Sequence, residues 1–158
     1  MRLIQRENLM EIRRYTEERI PDVLHFEREL RAGDEDWGWA IDDRYIAAVT
    51  ASFADPAFAN SLSLLAYMDG RVVGRIDSTM ICSHFDGSVK AYLDWICVLA
   101  SYRHRGVAQA LMQTLRDELK AQGVETLLGL IAAGEDAQRF YRHLPDAMIR
   151  DEGIWIDL

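Results

Sequence analysis

The sequence predicts an α/β protein of the α+β kind: a mixed, mostly antiparallel sheet, with elements in the order β-α-α-β-β-β-α-β-α-β-β. Three observations carry that order. Asp69-Gly70 stands between two apolar runs, which is the residue pair a type I′ hairpin turn favours. Phe85-Asp-Gly87 repeats the pattern ahead of a third run. Tyr92 to Met112 then changes period, from strand to amphipathic helix, across a turn that holds Gly106.

The elements follow in turn. Leu9 to Tyr15 reads as the first strand. Thr16 offers a cap, and Pro21 to Arg31 reads as a helix whose apolar face (Val23, Leu24, Phe26, Leu30) is interrupted by Glu27. Gly33 to Asp36 is a loop. Trp37 and Trp39 are read as anchors of that loop on the core, the other reading being the mouth of a substrate site. Asp42 or Asp43 caps a second helix, Arg44 to Phe53, which Asp55-Pro56 ends. Ser61 to Met68, Arg71 to Ile81 and Val89 to Val98 are the hairpin strands. A helix over 105–122 stops before Gly123, and Glu125 to Ala132 is apolar enough for a strand in mid-sheet. Glu135 to Leu144 is the last helix, ended by Pro145. Asp146 to Ile149 and Ile154 to Asp157 read as two short strands.

At 158 residues, 49% of them apolar, the chain reads as one domain over 1–158. It is long enough to bury about two-thirds of its unfolded surface. No apolar run reaches membrane-spanning length, and Met1 to Met10 carries Arg2, Arg6 and Glu7 where a signal peptide would be apolar. A soluble, cytoplasmic protein is expected, with Cys82 and Cys97 as reduced, buried hydrophobes and no metal-ligand spacing. The net charge of −8 disfavours generic nucleic-acid binding. An acidic chain that still keeps Arg103-His104-Arg105 together suggests two ligands of opposite sign, an anion there and a cation elsewhere.

The joint between strand and helix carries the chemistry. Ala108, Leu111, Met112, Leu115 and Leu119 form one helical stripe, so the helix begins near Gly106. Its first turn offers N–H groups without intrahelical partners. Arg103, His104 and Arg105 crowd positive charge at the positive end of the helix dipole, which helix stability does not explain. An anion does, and a strand, a glycine turn and a helix N-terminus together make a phosphate site.

These residues resemble the GNAT superfamily of acetyltransferases, whose signature is Arg or Gln, two residues, Gly, one residue, then Gly or Ala. Arg103, Gly106 and Ala108 meet it. The family's later signature, an Ala followed by an aromatic–Tyr pair on a late helix, is similar to Ala137-Gln-Arg-Phe-Tyr141. The resemblance spans about Leu9 to Leu158 and implies helices on both faces of the sheet. It implies acetyl-CoA as cosubstrate, with pantetheine lying along Ile96, Cys97 and Val98 and the Ile96 N–H polarising the acetyl carbonyl. The pyrophosphate would then rest on the backbone of His104, Arg105, Gly106, Val107, Ala108 and Gln109, with Arg103 and Arg105 adding charge. Tyr141 matches the family's general acid, since a phenol is protonated at neutral pH. One position departs from the pattern: Gly134 stands seven residues before Tyr141, where many relatives carry an Asn that contacts the cofactor.

Asp94 is the candidate base. Strand alternation puts it, with Tyr92, on the face of Ile96 and Val98 unless a bulge intervenes. The run Leu93 to Val98 also resembles the acidic strand of aminoglycoside 6′-acetyltransferases. Asp77 is a second candidate, read first as an edge or turn-facing acid. His25, His84 and His143 read as surface residues, and Cys97 points away from Ile96 and Val98. The expected activity is N-acetyl transfer to a primary amine, most simply of a small cationic molecule, without nucleic acid, membrane or metal. The alternatives are N-terminal or lysine acetylation of a protein or peptide, and a CoA-binding sensor that does not catalyse. The resemblance also admits a homodimer.

Overall fold

The computed structural model describes residues 9–32, 39–151, 153–154 and 156. β1 (Glu11–Arg14), α1 (Ile20–Arg31) and α2 (Asp43–Ser52) come first, then β2 (Ser61–Met68), β3 (Arg71–Cys82) and β4 (Val89–Val98). α3 (Val107–Ala121), β5 (Thr126–Gly129) and α4 (Glu135–Arg142) follow. The sheet runs β1-β2-β3-β4-β5, antiparallel throughout except for the parallel β4–β5 pair. This is the expected fold class, element for element as far as α4.

Local chemistry accounts for the boundaries. Pro21 sits in the first turn of α1, where a missing N–H costs nothing. The Asp42 carboxylate accepts from the Tyr45 N–H at 2.8 Å and so caps α2. Asp69 and Gly70 both take positive φ (53° and 75°), as the β2–β3 turn requires.

Two layers cover the sheet. On one face Val107, Leu111, Met112, Leu115 and Leu119 of α3 pack on Leu64, Ile76, Leu93 and Val98, with Phe140 and Tyr141 of α4 at the margin. Leu111 and Leu115 are fully buried, so truncating either to Ala costs about 2–5 kcal/mol. Gly74 lets α3 approach this closely, because a Cβ there would lie 2.8 Å from Val107 Cγ1. On the other face Val23 and Phe26 of α1 pack on Leu65, Tyr67 and Val72.

Three expectations change. Residues 147–150 form no strand, and Ile154 to Asp157 falls partly outside the described residues. With no later strand beside it, β5 is the edge of the described sheet rather than mid-sheet, and Leu128 is exposed. The third change concerns Asp94. Asp77 pairs with Trp95 but Ser78 pairs with Leu93, so β4 carries one extra residue at Asp94. The loop expected over Gly33 to Asp36, together with Trp37, lies outside the described residues.

Candidate active site

β4 and β5 part company halfway along. Their pairing runs from Lys90–Thr126 to Leu93–Gly129 and stops, leaving 94–98 without a β5 partner. The Leu99 N–H donates to the Val73 carbonyl at 2.9 Å, across to β3. Backbone groups alternate sides along a strand, so the N–H groups of Val98 and Ile96 turn to the opened edge. These are the groups the sequence resemblance singled out. The Val98 carbonyl accepts from Arg103 Nε at 3.3 Å, which fixes the chain as it leaves the strand.

The turn that follows has the form of an anion cradle. Gly106 caps α3 at φ 79°, in the left-handed region, and no side chain caps the helix. A Cβ at Gly106 would meet nothing within 4 Å, so the space over the helix N-terminus is open. Arg103, His104 and Arg105 are exposed around it. Arg105 lies over the Tyr102 ring at 5.0 Å, and Arg103 lies 3.9 Å from Asp136. The Val107 side chain is buried, so Val107 offers only its backbone, while Gln109 in the same turn is exposed. Open N–H groups, flanking cations and a free strand edge fit the pyrophosphate and amide-bearing arm of a CoA thioester.

The extra residue in β4 reverses the face expected for Asp94. Asp94 and Trp95 both line a cleft of about 1000 Å³ on the α1 and α2 side of the sheet, whereas Ile96 and Val98 pack toward α3. Tyr92 pairs with Thr79, another residue of the cleft, so it too lies on the Asp94 side and not that of Ile96. Cys97 pairs with Arg75 and so faces away from Ile96 and Val98, as expected. Burial raises its thiol above the ordinary value, which works against a thiolate.

The cleft floor holds a network that sequence reasoning missed. Glu27 of α1, 1% exposed, accepts from Arg75 at 2.8 Å, Arg31 at 3.3 Å and the Tyr45 hydroxyl at 2.8 Å. Asp77 is no edge acid: it is buried on central β3, bound by Arg75 Nε at 2.7 Å and the Ser63 hydroxyl at 2.6 Å. The available signal was Glu27 within the apolar stripe of α1 and Arg75 within an apolar strand. Buried charges imply partners. Trp39 is also corrected. It stands at the rim of the cleft, with the Arg31 guanidinium 4.6 Å above its ring, instead of anchoring a loop in the core. His25, His84 and His143 are exposed, as expected; Cys82, expected to be buried, is exposed too, because it ends β3 beyond the cover of the helices.

Tyr141 lies on the other side of the sheet. Its ring meets Phe140 edge-on at 5.2 Å and packs against the α3 core. Burial raises its phenol above the ordinary value, so it holds its proton throughout the neutral range. Gly134 caps α4 without a side-chain bond, and nothing lies within 4 Å of where a Cβ would stand. Tyr141 thus packs on the α3 face of the sheet, whereas Asp94 faces the cleft on the α1 and α2 face.

Residues 4–144 match the acetyltransferase (GNAT) family. The chain belongs to that family. GNAT enzymes use acetyl-CoA, and this GNAT chain is an acetyl-CoA-dependent N-acetyltransferase. Its fold is shared with solved structures at low identity. An aminoglycoside acetyltransferase from an uncultured soil metagenomic sample, in complex with trehalose, superposes with TM-score 0.79 at 19% identity, over 96% of this chain and 98% of that one. The aminoglycoside N-acetyltransferase AAC(6')-Iy in complex with CoA gives 0.76 at 20% identity, over 98% and 99%. The ribosomal-protein-alanine N-acetyltransferase of Brucella melitensis biovar Abortus 2308 gives 0.72 at 18%, over 95% and 99%. Among curated proteins, no sequence matches this GNAT chain. Among the described residues, no group of three or more His, Cys, Asp or Glu is placed to hold a metal ion. No described helix is long and apolar enough to cross a membrane.

Proposed function

We propose that the chain, acting as one domain in the cytoplasm, transfers acetyl from acetyl-CoA directly to the primary amine of a small cationic molecule. One observation carries this reading. The extra residue of β4 turns Asp94 into the cleft at the point where the strand leaves β5.

Acetyl-CoA supplies an acetyl group already activated as a thioester. Backbone N–H groups from His104 to Gln109, with Arg103 and Arg105, hold the phosphates, and the freed edge of β4 orients the arm. The Ile96 N–H donates to the acetyl carbonyl oxygen, where negative charge grows as the amine attacks. Asp94 draws in the ammonium by charge and, directly or through a water, takes the proton the amine must lose. Tyr141 gives its phenolic proton to the departing sulfur. A C–N bond forms and a C–S bond breaks, with one proton accepted and one donated by the protein.

Gly134 favours a second reading, a CoA-holding sensor, because it removes a side chain that many relatives direct at the cofactor. Thiol release from acetyl-CoA across a panel of amines separates the two. Turnover with at least one amine supports the transferase. Tight CoA binding with no turnover on any amine supports the sensor.

A further inference from the structure

Resting on that reading, we propose that the acceptor carries one primary amine on a short chain that ends in an aromatic ring.

Four described acids line the cleft, and three of them are engaged by the protein itself. Glu27 is bound by Arg75, Arg31 and Tyr45. Asp77 is bound by Arg75 and Ser63. Asp55 spends an oxygen capping the turn that follows α2, accepting from the Ala57 N–H at 2.8 Å. Asp94 is exposed and makes no ion pair among the described residues. Among the described residues Asp94 is the cleft acid that no protein group engages, and it stands at the opened edge of β4, where one amine can reach it.

The rest of the cleft is aromatic. Trp39, Phe53 and Phe58 line it with 46%, 38% and 52% of their surface exposed, and Trp95 stands next to Asp94. Exposed rings gathered in one concavity mark a binding surface more than packing does. Phe53 is held edge-on by Tyr15 at 5.0 Å, so that wall is fixed in place. A ring on the acceptor would stack on these walls while its amine reaches Asp94.

The test compares kcat/KM for phenylbutylamine, hexylamine and spermine, with acetyl-CoA saturating. The first two carry one amine of similar basicity and differ in the ring; the third is a polycation. Phenylbutylamine should exceed both others by at least about tenfold, the effect of one well-placed aromatic contact. Phe58→Leu should lower kcat/KM for phenylbutylamine at least about fivefold and that for hexylamine by less than half as much. Equal rates for phenylbutylamine and hexylamine, or a faster rate with spermine, would overturn the inference while leaving the transferase reading intact. If CoA binds and no amine turns over, the transferase reading fails. Calorimetric titration of the same amines then decides the cleft chemistry: tighter binding of phenylbutylamine upholds it, and equal affinities overturn it.

Discussion

Asp77 on β3 lies opposite Trp95 on β4, and the next pair along is Ser78 with Leu93, so Asp94 has no partner across the strands. The bulge costs the sheet one ladder position and in return gives a carboxylate to the cleft. Asp94→Asn keeps the size and removes the charge. It should lower kcat/KM for amines by at least about tenfold with CoA affinity unchanged, and the loss should shrink as pH rises and more amine is already neutral. Normal turnover near neutral pH would remove Asp94 from the mechanism.

Gly106 holds φ 79° over open space. Gly106→Val places a branched side chain in that space and strains the backbone as well, so CoA binding should be lost. Calorimetric titration with CoA measures this, while circular dichroism checks that the variant is folded. A folded variant with unchanged affinity would show that the phosphates rest elsewhere. CoA affinity of the parent protein should also fall as salt is raised, because charge supplies part of the grip.

Tyr141→Phe removes one hydroxyl and keeps the ring packed on Phe140. Turnover should fall about 100-fold with little change in the denaturation midpoint. Because burial holds the phenol above its ordinary value, the parent enzyme should lose this acid at higher pH than an ordinary phenol would. An unchanged kcat would leave Tyr141 as a packing residue alone.

The Tyr45 hydroxyl donates to Glu27, and burial together with that carboxylate pushes the phenol up from 10 to about 12. The folded state therefore resists losing this proton more than the unfolded chain does. The associated stability is fully present below pH 10 and is lost as pH rises from 10 towards 12. Urea unfolding across that window should show the decline, and Tyr45→Phe should make it shallower, the raised phenols of Tyr15, Tyr67 and Tyr141 keeping their share. An equal slope in both proteins would place the alkaline sensitivity elsewhere.

Much of this architecture was legible from local signals. The Asp69-Gly70 turn, the α3 stripe and Gly106 each express a short-range rule, and all three lie where those rules put them. Asp94 shows the limit. A bulge changes the face of every residue beyond it, and nothing within Leu93 to Val98 announces one, because it is set by pairing with a strand remote in sequence. The Glu27–Arg75–Asp77 network is non-local for the same reason: its members come from α1 and β3 and meet only when the helix packs. β5 reads as a central strand because its composition is apolar, yet it is the edge of the described sheet, since position in a sheet depends on which strands follow.

The most direct test is a crystal structure with CoA bound. The pyrophosphate should lie over residues 104–109, the arm along the opened edge of β4 at Ile96 and Val98, and the sulfur between the Tyr141 hydroxyl and the Asp94 cleft. CoA bound away from Gly106, or with its sulfur remote from both side chains, would contradict that placement.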